Sequence, residues 1–378
     1  MRVAPVALPM RRAHHTGVRA SERKFAILRV DTDKGITGWG EATVLKEWGG
    51  SHGKYYGESY GTVCHIITDY LAPALRGEDP FDIERLHERM DRIVKGHPYA
   101  KAAIDIALYD IMGKALGVPA HDLLGGLYRR DVVVCHSISL LAPDEAVAEA
   151  LVAAEDGYRS IKLKVGPDPR RDIEVVRRVR EAIGADIALT IDANQLYPTP
   201  KEAIRIIRLM EPYGLALAEQ PVEGMDAMAA VSQAVDTPIM HDEGAWTPQD
   251  AAEIARRRAG DAVSLYTTKP GGLHPATKVA AVCEAVGLAC NVNGSGETGI
   301  GNAANLHLAG SQRIVSLPSV IPITATDDQR PTRLPFYLDD VIREPFEYRD
   351  GCLVVPEGPG LGVEVDEAKL ERYSSRAR

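Results

Sequence analysis

The sequence predicts an α/β protein in which an N-terminal α+β region precedes a parallel (β/α)₈ barrel. From about residue 132 onward, short apolar runs alternate with stretches of helical periodicity, and the runs begin roughly 23–28 residues apart, the length of one βα unit. Eight such units in succession favour a closed barrel over an open sheet. The runs are Val132–Ile138, Ser160–Val165, Ile187–Ile191, Leu215–Ala218, Thr237–Met240, Ala262–Leu265, Leu288–Val292 and, more weakly, Ile314–Leu317. The helical stretches between them include Asp144–Glu155, Arg170–Ile183, Lys201–Pro212, Pro248–Arg258 and Leu273–Val286.

The N-terminal region contains three predicted strands followed by three predicted helices. The strands are Val3–Leu8, Lys24–Thr32 and Gly38–Ala42, and the helices are about Cys64–Leu75, Asp82–Lys95 and Tyr99–Leu116. Beyond about Leu334 the βα alternation stops, and we expect this tail to pack back on the N-terminal region. The sequence therefore divides into an N-terminal α+β domain of residues 1–125, a barrel of residues 126–335 and a C-terminal segment of residues 336–378.

The composition is that of an ordinary globular protein, with 45% hydrophobic and 26% charged residues. Lysine and arginine number 44 against 53 acidic residues, so the net charge is −9. Because an acidic surface repels phosphate backbones and anionic lipids, we expect a small-molecule ligand, with no nucleic-acid and no membrane partner. Five cysteines without a Cys-x-x-Cys pattern favour a reducing compartment, and no apolar run approaches the ~20 residues of a bilayer span. We therefore expect a cytoplasmic protein.

Acidic residues stand at the ends of successive barrel strands, where barrel enzymes carry their chemistry. The third, fourth and fifth strands end in Asp192, Glu219 and Asp242, about one βα unit apart. Three buried carboxylates on neighbouring strand ends cannot all stay ionised without a cation. Hard oxygen ligands in this number suit Mg²⁺, which also keeps positions open for substrate oxygens.

Two lysines, Lys162 and Lys164, end the second strand. Because they are two residues apart, both should point into the barrel mouth. A neighbouring ammonium group and a nearby divalent cation each lower the pKa of a lysine from its ordinary ~10.4, so we expect a lysine that can remove a proton from carbon. The carbon acid that most needs this apparatus lies alpha to a carboxylate, since a divalent metal can stabilise the two negative oxygens of its enediolate.

A stretch rich in glycine and aromatic residues follows the third strand, at about residues 48–60. Glycines permit movement and aromatic rings can cover an apolar ligand, which predicts a lid that contacts substrate through Trp48 and Tyr55. The alternative is an exposed loop without a special role.

A glycine-rich segment, Gly294-Ser-Gly-Glu-Thr-Gly299, follows the seventh strand and matches the G-x-G-x-x-G pattern of dinucleotide binding. It lies late in the chain, and no acidic residue stands ~20 residues further on, so this interpretation is not favoured. We expect its backbone to approach a substrate carboxylate, with Ser295 and Glu297 as contacts. Asn194, after the third strand, is a further candidate contact, and loop-holding or capping roles are the alternatives for Asn194 and Glu297.

These residues together resemble the enolase superfamily, and the Lys162-x-Lys164 pair resembles its muconate-lactonizing-enzyme subgroup. The resemblance covers nearly the whole chain. The other motifs that carry it are Gly38-Trp-Gly-Glu41-Ala42, Ala102-Ala-Ile-Asp105-Ile-Ala107-Leu-Tyr-Asp110, Gly117-Val-Pro119 with Leu123-Leu-Gly-Gly126, Lys269-Pro-Gly-Gly272 and Glu297-Thr-Gly-Ile-Gly301.

The resemblance implies an α+β capping domain over a modified TIM barrel of the form (β/α)₇β. It also implies that Asp192, Glu219 and Asp242 bind Mg²⁺. Lys164 would be the acid/base on one face of the substrate, and Lys162 would tune its pKa. The implied chemistry is Mg²⁺-dependent abstraction of a proton alpha to a carboxylate through an enediolate, and we also expect a homo-oligomer.

The chain departs from the subgroup on the sixth strand. The subgroup usually places a second catalytic lysine five residues before the Gly-Gly pair, and that position holds Tyr266. Lys269 has the opposite strand parity and would face away from the mouth in a regular strand. A tyrosine can donate a proton but is a weaker candidate base, so one-base chemistry by Lys164 fits better than two-base racemisation.

Several functions remain open at this point. A muconate cycloisomerase-like isomerase fits one-base chemistry best, and a dehydratase that eliminates from a hydroxy acid is an alternative, because both reactions pass through the same enediolate. A racemase or epimerase would require Lys269 to turn into the mouth. The non-enzymatic alternative is an inactive barrel that serves as a binding protein, and the lysine pair with its three acids argues against it.

Overall fold

The computed structural model describes residues 1–11, 22–46, 48–49, 57–326 and 329–377. The chain begins with a three-stranded antiparallel sheet in the order β1-β2-β3. Its strands lie close to the predicted positions and are β1 (Arg2–Pro9), β2 (Glu22–Asp31) and β3 (Thr37–Thr43).

The helices of the N-terminal region pack on one face of this sheet. They are α1 (Tyr60–His65), a π-helical segment (Ile66–Leu71), α2 (Ala72–Leu75), α3 (Ile83–Ile93), α4 (Pro98–Leu116) and a 3₁₀ helix (Ala120–Leu124). Helix α4 crosses β3 so closely that a Cβ atom at Gly40 would lie 1.8 Å from the Ala103 carbonyl oxygen. Residues 99–113 of α4 are all buried, because α4 lies between this sheet and the barrel.

The barrel region alternates strands and helices as the sequence predicts. Its strands β5 to β11 form one parallel sheet in sequence order. The elements are β4 (Asp131–Val133), β5 (His136–Ile138), α5 (Pro143–Glu155), β6 (Ser160–Lys164), α6 (Pro169–Ile183), β7 (Ala188–Asp192), α7 (Pro200–Met210), a 3₁₀ helix (Glu211–Tyr213), β8 (Leu215–Glu219), α8 (Met225–Ser232), β9 (Ile239–His241), α9 (Pro248–Arg257), β10 (Ala262–Leu265), α10 (Leu273–Val286), β11 (Ala289–Val292) and α11 (Gly299–Ser311).

An extended segment of residues 315–320 connects the two edges of the curled parallel sheet. Val315 and Val320 bridge to β11 and the residue after it, and Ser319 bridges to Val134 beside β5. The next helix in the described chain is α12 (Glu367–Ala377), so seven βα units are followed by a strand-like segment without its own helix. The modified TIM barrel of the form (β/α)₇β is therefore confirmed, and the expectation of eight complete βα units is corrected.

Two of the predicted barrel strands differ in detail. The run Val132–Ile138 is split, because β4 pairs antiparallel with β13 of the tail whereas β5 joins the barrel. The weak run Ile314–Leu317 forms isolated bridges in place of a regular strand. The tail contains β12 (Tyr348–Arg349) and β13 (Cys352–Val354).

The C-terminal segment contacts both other parts of the chain. Helix α12 lies on β1, where the Ser374 hydroxyl donates a 2.6 Å hydrogen bond to the Pro5 carbonyl oxygen. Strand β13 extends β4 of the barrel region. The boundaries after residues 125 and 335 stay predictions. No helix of the described residues is long and apolar enough to cross a membrane.

A pair of buried histidines joins the capping region, the barrel and the tail. The Nε2–H group of His307 in α11 donates to the Leu361 carbonyl oxygen at 3.1 Å. Its Nδ1 atom must therefore accept the 3.1 Å hydrogen bond from Nδ1 of His121 in the first 3₁₀ helix. Burial lowers the pKa of His307 to about 3, so the native contact needs a neutral ring.

Replacing His307 by glutamine should change the pH dependence of stability. Below pH ~6.5 the unfolded chain binds a proton that the native imidazole excludes, so this group costs ~1.4 kcal/mol of stability per pH unit as the pH falls toward its native pKa. The glutamine does not titrate. From about pH 6 to pH 4, the unfolding free energy of His307→Gln should rise relative to wild type by ~1.4 kcal/mol per pH unit in urea titrations. Parallel pH profiles for the two proteins would contradict this.

Candidate active site

The predicted acids and lysines meet at the carboxyl ends of neighbouring parallel strands. Lys164 pairs in register with Asp192, and Asp192 pairs with Glu219. Glu219 pairs with Met240, so Asp242 follows two residues beyond the next strand position. The side chains of all four charged residues are buried at this end of the barrel.

Two lysine ammonium groups bind the first two acids. Lys162 Nζ lies 3.1 Å from an oxygen of Asp192 and 3.1 Å from an oxygen of Glu219. Lys164 Nζ donates to Asp192 Oδ2 at 2.6 Å and to Asn194 Oδ1 at 2.6 Å. The structure therefore brings together five residues that the sequence singled out, on three adjacent strands.

The charges of this cluster raise the pKa values of both Lys162 and Glu219. Burial alone would lower the pKa of Lys162, but the charges of Glu219 and Asp192 outweigh it and raise that pKa. The lowered lysine pKa expected from the sequence also requires a nearby divalent cation, and it stays a prediction. Burial and the Asp192 charge raise the pKa of Glu219 well above its ordinary value.

Asp242 is bound by two residues of the sixth strand end. The Tyr266 hydroxyl donates to Asp242 Oδ2 at 2.8 Å. Lys269 Nζ donates to Asp242 Oδ1 at 2.9 Å, to the Asp242 carbonyl oxygen at 2.8 Å and to the Ser264 carbonyl oxygen at 2.8 Å. Lys269 therefore does not face away from the mouth, as it would in a regular strand. Strand β10 ends at Leu265, so strand parity no longer applies at Lys269, four residues later in the following turn.

Aromatic rings line this side of the site. The Trp48 ring lies 5.1 Å from the Tyr266 ring and 5.4 Å from the Trp246 ring, between ring centroids. Lys269 Nζ lies 4.1 Å from the Tyr266 ring centroid. Trp48, the first residue of the predicted lid, thus reaches the site from the capping region. Tyr55 lies outside the described residues, as does most of the predicted lid.

The glycine-rich segment after β11 carries buried polar atoms. Glu297 Oε1 accepts a 2.8 Å hydrogen bond from the Ser295 N–H group, whereas Glu297 Oε2 and the Ser295 hydroxyl make no hydrogen bond to any other residue that the structure describes. The N–H groups at the start of α11 are taken by protein carboxylates: Glu41 binds those of Thr298 and Gly301, and Asp340 binds that of Gly299. They are not free for a pyrophosphate, which argues against the dinucleotide interpretation.

Three polar contacts of the site were missed at the sequence level. Asn293, at the end of β11, donates to Glu219 Oε1 at 3.1 Å, and the strand-end rule applied to this strand would have found it. Glu243 accepts from Asn194 Nδ2 at 3.0 Å, and burial beside Asp242 raises the pKa of Glu243 to about 8. Gln220, which has a φ of 37°, accepts a 2.9 Å hydrogen bond from the Asp242 N–H group through its Oε1 atom. No local sequence pattern predicts this contact.

The three acids are ligands of the kind that a hard divalent cation prefers, although their side chains do not form a preformed metal site. Within the described ranges, no group of three or more His, Cys, Asp or Glu side chains is arranged to hold a metal ion. The reason is visible in the contacts: the lysines bind the oxygens of Asp192 and Glu219, and Tyr266 and Lys269 bind those of Asp242. Burial and the Asp192 charge raise the pKa of Glu219, and a divalent cation would relieve the repulsion between these two carboxylates. The donor chemistry therefore fits Mg²⁺.

Both the N-terminal region and the barrel region match known protein families. Residues 1–125 match the family model "Mandelate racemase / muconate lactonizing enzyme, N-terminal domain", and residues 145–369 match "Enolase C-terminal domain-like". The chain belongs to the mandelate racemase/muconate lactonizing enzyme family of the enolase superfamily. This is a family of enzymes, and the fold and the resemblance inferred from the sequence are thereby confirmed.

Characterised relatives in this family catalyse different reactions. The chain is 34% identical to N-succinyl-L-Arg/Lys racemase of Bacillus cereus over 356 residues, which are 94% of this chain and 91% of that protein. It is 34% identical to muconate cycloisomerase 1 of Rhodococcus opacus, over 97% of this chain and 95% of that protein. The crystal structure of a dipeptide epimerase from Enterococcus faecalis, complexed with Mg and the dipeptide L-Leu-L-Tyr, superposes with a TM-score of 0.86 at 30% identity, over 96% and 98% of the two chains.

Proposed function

We propose that this enzyme moves a proton at the carbon alpha to a carboxylate of a small substrate, through an enediolate, with Lys164 as its acid/base. Of the activities represented in the family, muconate cycloisomerase-like isomerisation is the one that we infer. The observation that carries the proposal is the contact pattern of the three site lysines.

A lysine ammonium group has three protons to donate, and a base needs one direction open toward its substrate. Lys162 is directed at three carboxylate oxygens of Asp192 and Glu219. Lys269 has three protein acceptors, all within 2.9 Å. Among the described residues, Lys164 has two acceptors, which leaves one N–H direction for a substrate carbon. This difference favours Lys164 as the proton carrier.

Asp192, Glu219 and Asp242 are the residues that we propose to hold Mg²⁺. When bound, the cation supplies positive charge that stabilises the two negative oxygens of an enediolate. Lys162 keeps Asp192 and Glu219 side by side, and Gln220 holds the backbone of Asp242. The chain thus orients its acids through neighbours that are themselves buried.

The opposite face of the substrate meets Tyr266 and Trp48. The Tyr266 hydroxyl, held by Asp242, can donate a hydrogen bond or a proton to a group on that face, and the Trp48 ring excludes water beside it. Asn194, Ser295 and Glu297 are the proposed polar contacts to the substrate. Ser295 and Glu297 support this, because each carries a buried atom without a hydrogen-bond partner in the described part of the chain. In the ring-closing direction, one substrate carboxylate adds to a double bond, the electrons pass to the second carboxylate as an enediolate, and Lys164 returns a proton to the alpha carbon.

A two-base epimerase is the second candidate, since Lys269 does lie in the barrel mouth beside Asp242 and Tyr266. Its three acceptors would first have to release it. A dehydratase would use the same enediolate, but no contact in the site favours it over an isomerase. The family consists of enzymes, which argues against an inactive binding protein.

A panel of carboxylates tests the proposal. The purified enzyme with Mg²⁺ is incubated with muconate, N-succinyl-L-arginine, N-succinyl-L-lysine and L-Leu-L-Tyr, and products are followed by NMR in D₂O. We expect muconate to be converted to a lactone that incorporates one deuterium at its alpha carbon. Inversion of the succinylamino acids or of the dipeptide, without reaction of muconate, would contradict the cycloisomerase proposal and favour the epimerase.

A further inference from the structure

The turn of residues 266–272, called the 266–272 turn below, carries both Tyr266 and Lys269. It leaves β10 at one end and runs directly into α10 at the other. The Gly272 N–H group donates to the Thr267 carbonyl oxygen at 2.7 Å, which closes the turn on itself. The geometry of the second face of the site therefore depends on what holds the two ends of this turn.

The α10 end of the turn is held from the capping region. Asp105, in the middle of helix α4, accepts hydrogen bonds from the backbone N–H groups of Leu273 at 2.5 Å and His274 at 3.3 Å. Asp105 is completely buried, and His87 Nε2 lies 2.7 Å from its Oδ2 atom. A carboxylate from one region thus caps a helix of the other, directly behind the catalytic turn.

The fit between this carboxylate and the turn is close. A Cβ atom at Gly272 would lie 2.2 Å from Asp105 Cγ, so only glycine admits the carboxylate at this position. Gly272 also has a φ of 136°, which side-chain-bearing residues rarely adopt. The start of α4 packs on the turn as well, since a Cβ at Gly271 would contact the Lys101 Cβ atom at 3.7 Å.

We propose that Asp105 is a positioning residue for the second face of the active site. It holds the 266–272 turn so that Tyr266 and Lys269 reach Asp242, and it makes their placement depend on the docking of the capping helix α4. This inference rests on the proposed function for its catalytic consequence, and on the contacts above for its structural part.

Asp110, one and a half turns further along α4, provides a matched control. It is buried like Asp105 and also accepts two backbone hydrogen bonds, from the N–H groups of Trp39 and Leu361, both at 2.9 Å. A side-chain donor, Lys114, completes its set at 2.6 Å. Asp110 ties α4 to β3 and to the tail instead of to the 266–272 turn. Asp110→Asn therefore removes the same kind of interaction away from the site.

The structural part is tested by amide hydrogen exchange on the full-length enzyme. In Asp105→Asn one of the two carboxylate oxygens becomes an NH₂ group, so the N–H group of either Leu273 or His274 loses its acceptor and faces a donor. The amides of residues 272–274 should therefore exchange at least ~10-fold faster than in wild type. In Asp110→Asn these amides should stay within about twofold of wild type, because their acceptors are untouched. Equal exchange of residues 272–274 in the two variants would overturn the inference.

The catalytic part is tested on the lactone formed from muconate, because its alpha carbon carries the proton that Lys164 would move. Turnover, here the reopening of the lactone to muconate, is compared with exchange of that alpha proton in D₂O. Asp105→Asn should lower the ratio of turnover to exchange ~10-fold, as we also expect of Tyr266→Phe, while Asp110→Asn leaves the ratio unchanged. An equal loss of turnover and exchange in Asp105→Asn would overturn the positioning role.

A second pair of variants tests the same contact from the turn. Gly272→Ala pushes against Asp105 and should reproduce the lowered ratio, whereas Gly287→Ala, at the other end of α10 with a φ of 77° and no atom within 4 Å of its Cβ position, should not. Equal ratios in the two glycine variants would count against the proposal. If the wild-type enzyme neither converts muconate nor exchanges an alpha proton of any other panel carboxylate, the proposed function fails, and the hydrogen-exchange comparison still decides whether Asp105 holds the turn.

Discussion

Replacing Lys164 by alanine should abolish alpha-proton exchange while the barrel stays folded. General-base catalysis contributes ~10²–10⁴-fold, so the loss should be at least of this order, about 3–5 kcal/mol in barrier. The variant leaves Asp192 with Lys162 as a partner, so the ion-pair cluster keeps one of its two ammonium groups. The measurement is deuterium incorporation from D₂O into the panel substrate, followed by NMR.

Lys164→Arg removes the base but keeps a positive charge at this position. A guanidinium group can still pair with Asp192 and Asn194, but it does not give up its proton in a protein, so it cannot serve as the base. We expect Lys164→Arg to be as inactive in exchange as Lys164→Ala. Substantial exchange in either variant would show that another group removes the proton.

Changing any one of Asp192, Glu219 and Asp242 to its amide should lower turnover by ~10²–10³-fold or more. The amides keep the size of the side chains but remove the charge that a divalent cation requires, and metal stabilisation of an enediolate is worth several kcal/mol. Removal of divalent cations with a chelator should abolish turnover reversibly, and added Mg²⁺ should restore it.

The control for these variants is again Asp110→Asn, which removes a buried carboxylate outside the site. Its turnover should stay near wild type even if its unfolding free energy falls. Full activity of the wild-type enzyme in excess chelator would contradict the metal-dependent account.

The sequence predicted those parts of the site that follow from regular strands. Lys162 and Lys164 share one face of β6 because side chains alternate along a strand, and Asp192 and Glu219 meet because their strands are parallel neighbours in register. Each of these inferences needs only strand periodicity and the rule that barrel chemistry lies at the carboxyl ends of strands.

Predictions failed where the chain leaves regular structure. Lys269 follows the end of β10 in a turn. Its direction depends on Gly271, Gly272 and the docking of Asp105, which lies 168 residues before Leu273 in the chain. The splitting of the first barrel run has a similar cause, since the pairing of β4 with the tail strand β13 is a long-range contact without a local signal. The pKa of Lys162 is also beyond local sequence patterns, because it depends on how closely two acids from other strands approach its ammonium group.

The central claim is that Lys164 is the one base of this enzyme. The measurement that tests it most directly is the stereochemistry of deuterium incorporation at the alpha carbon in D₂O, in wild type and in Lys269→Ala. We predict that deuterium enters from one face of the alpha carbon in both proteins, so that the lactone formed from muconate carries a single CHD configuration at that carbon. Incorporation with inversion in wild type that disappears in Lys269→Ala would contradict this account and identify Lys269 as a second base.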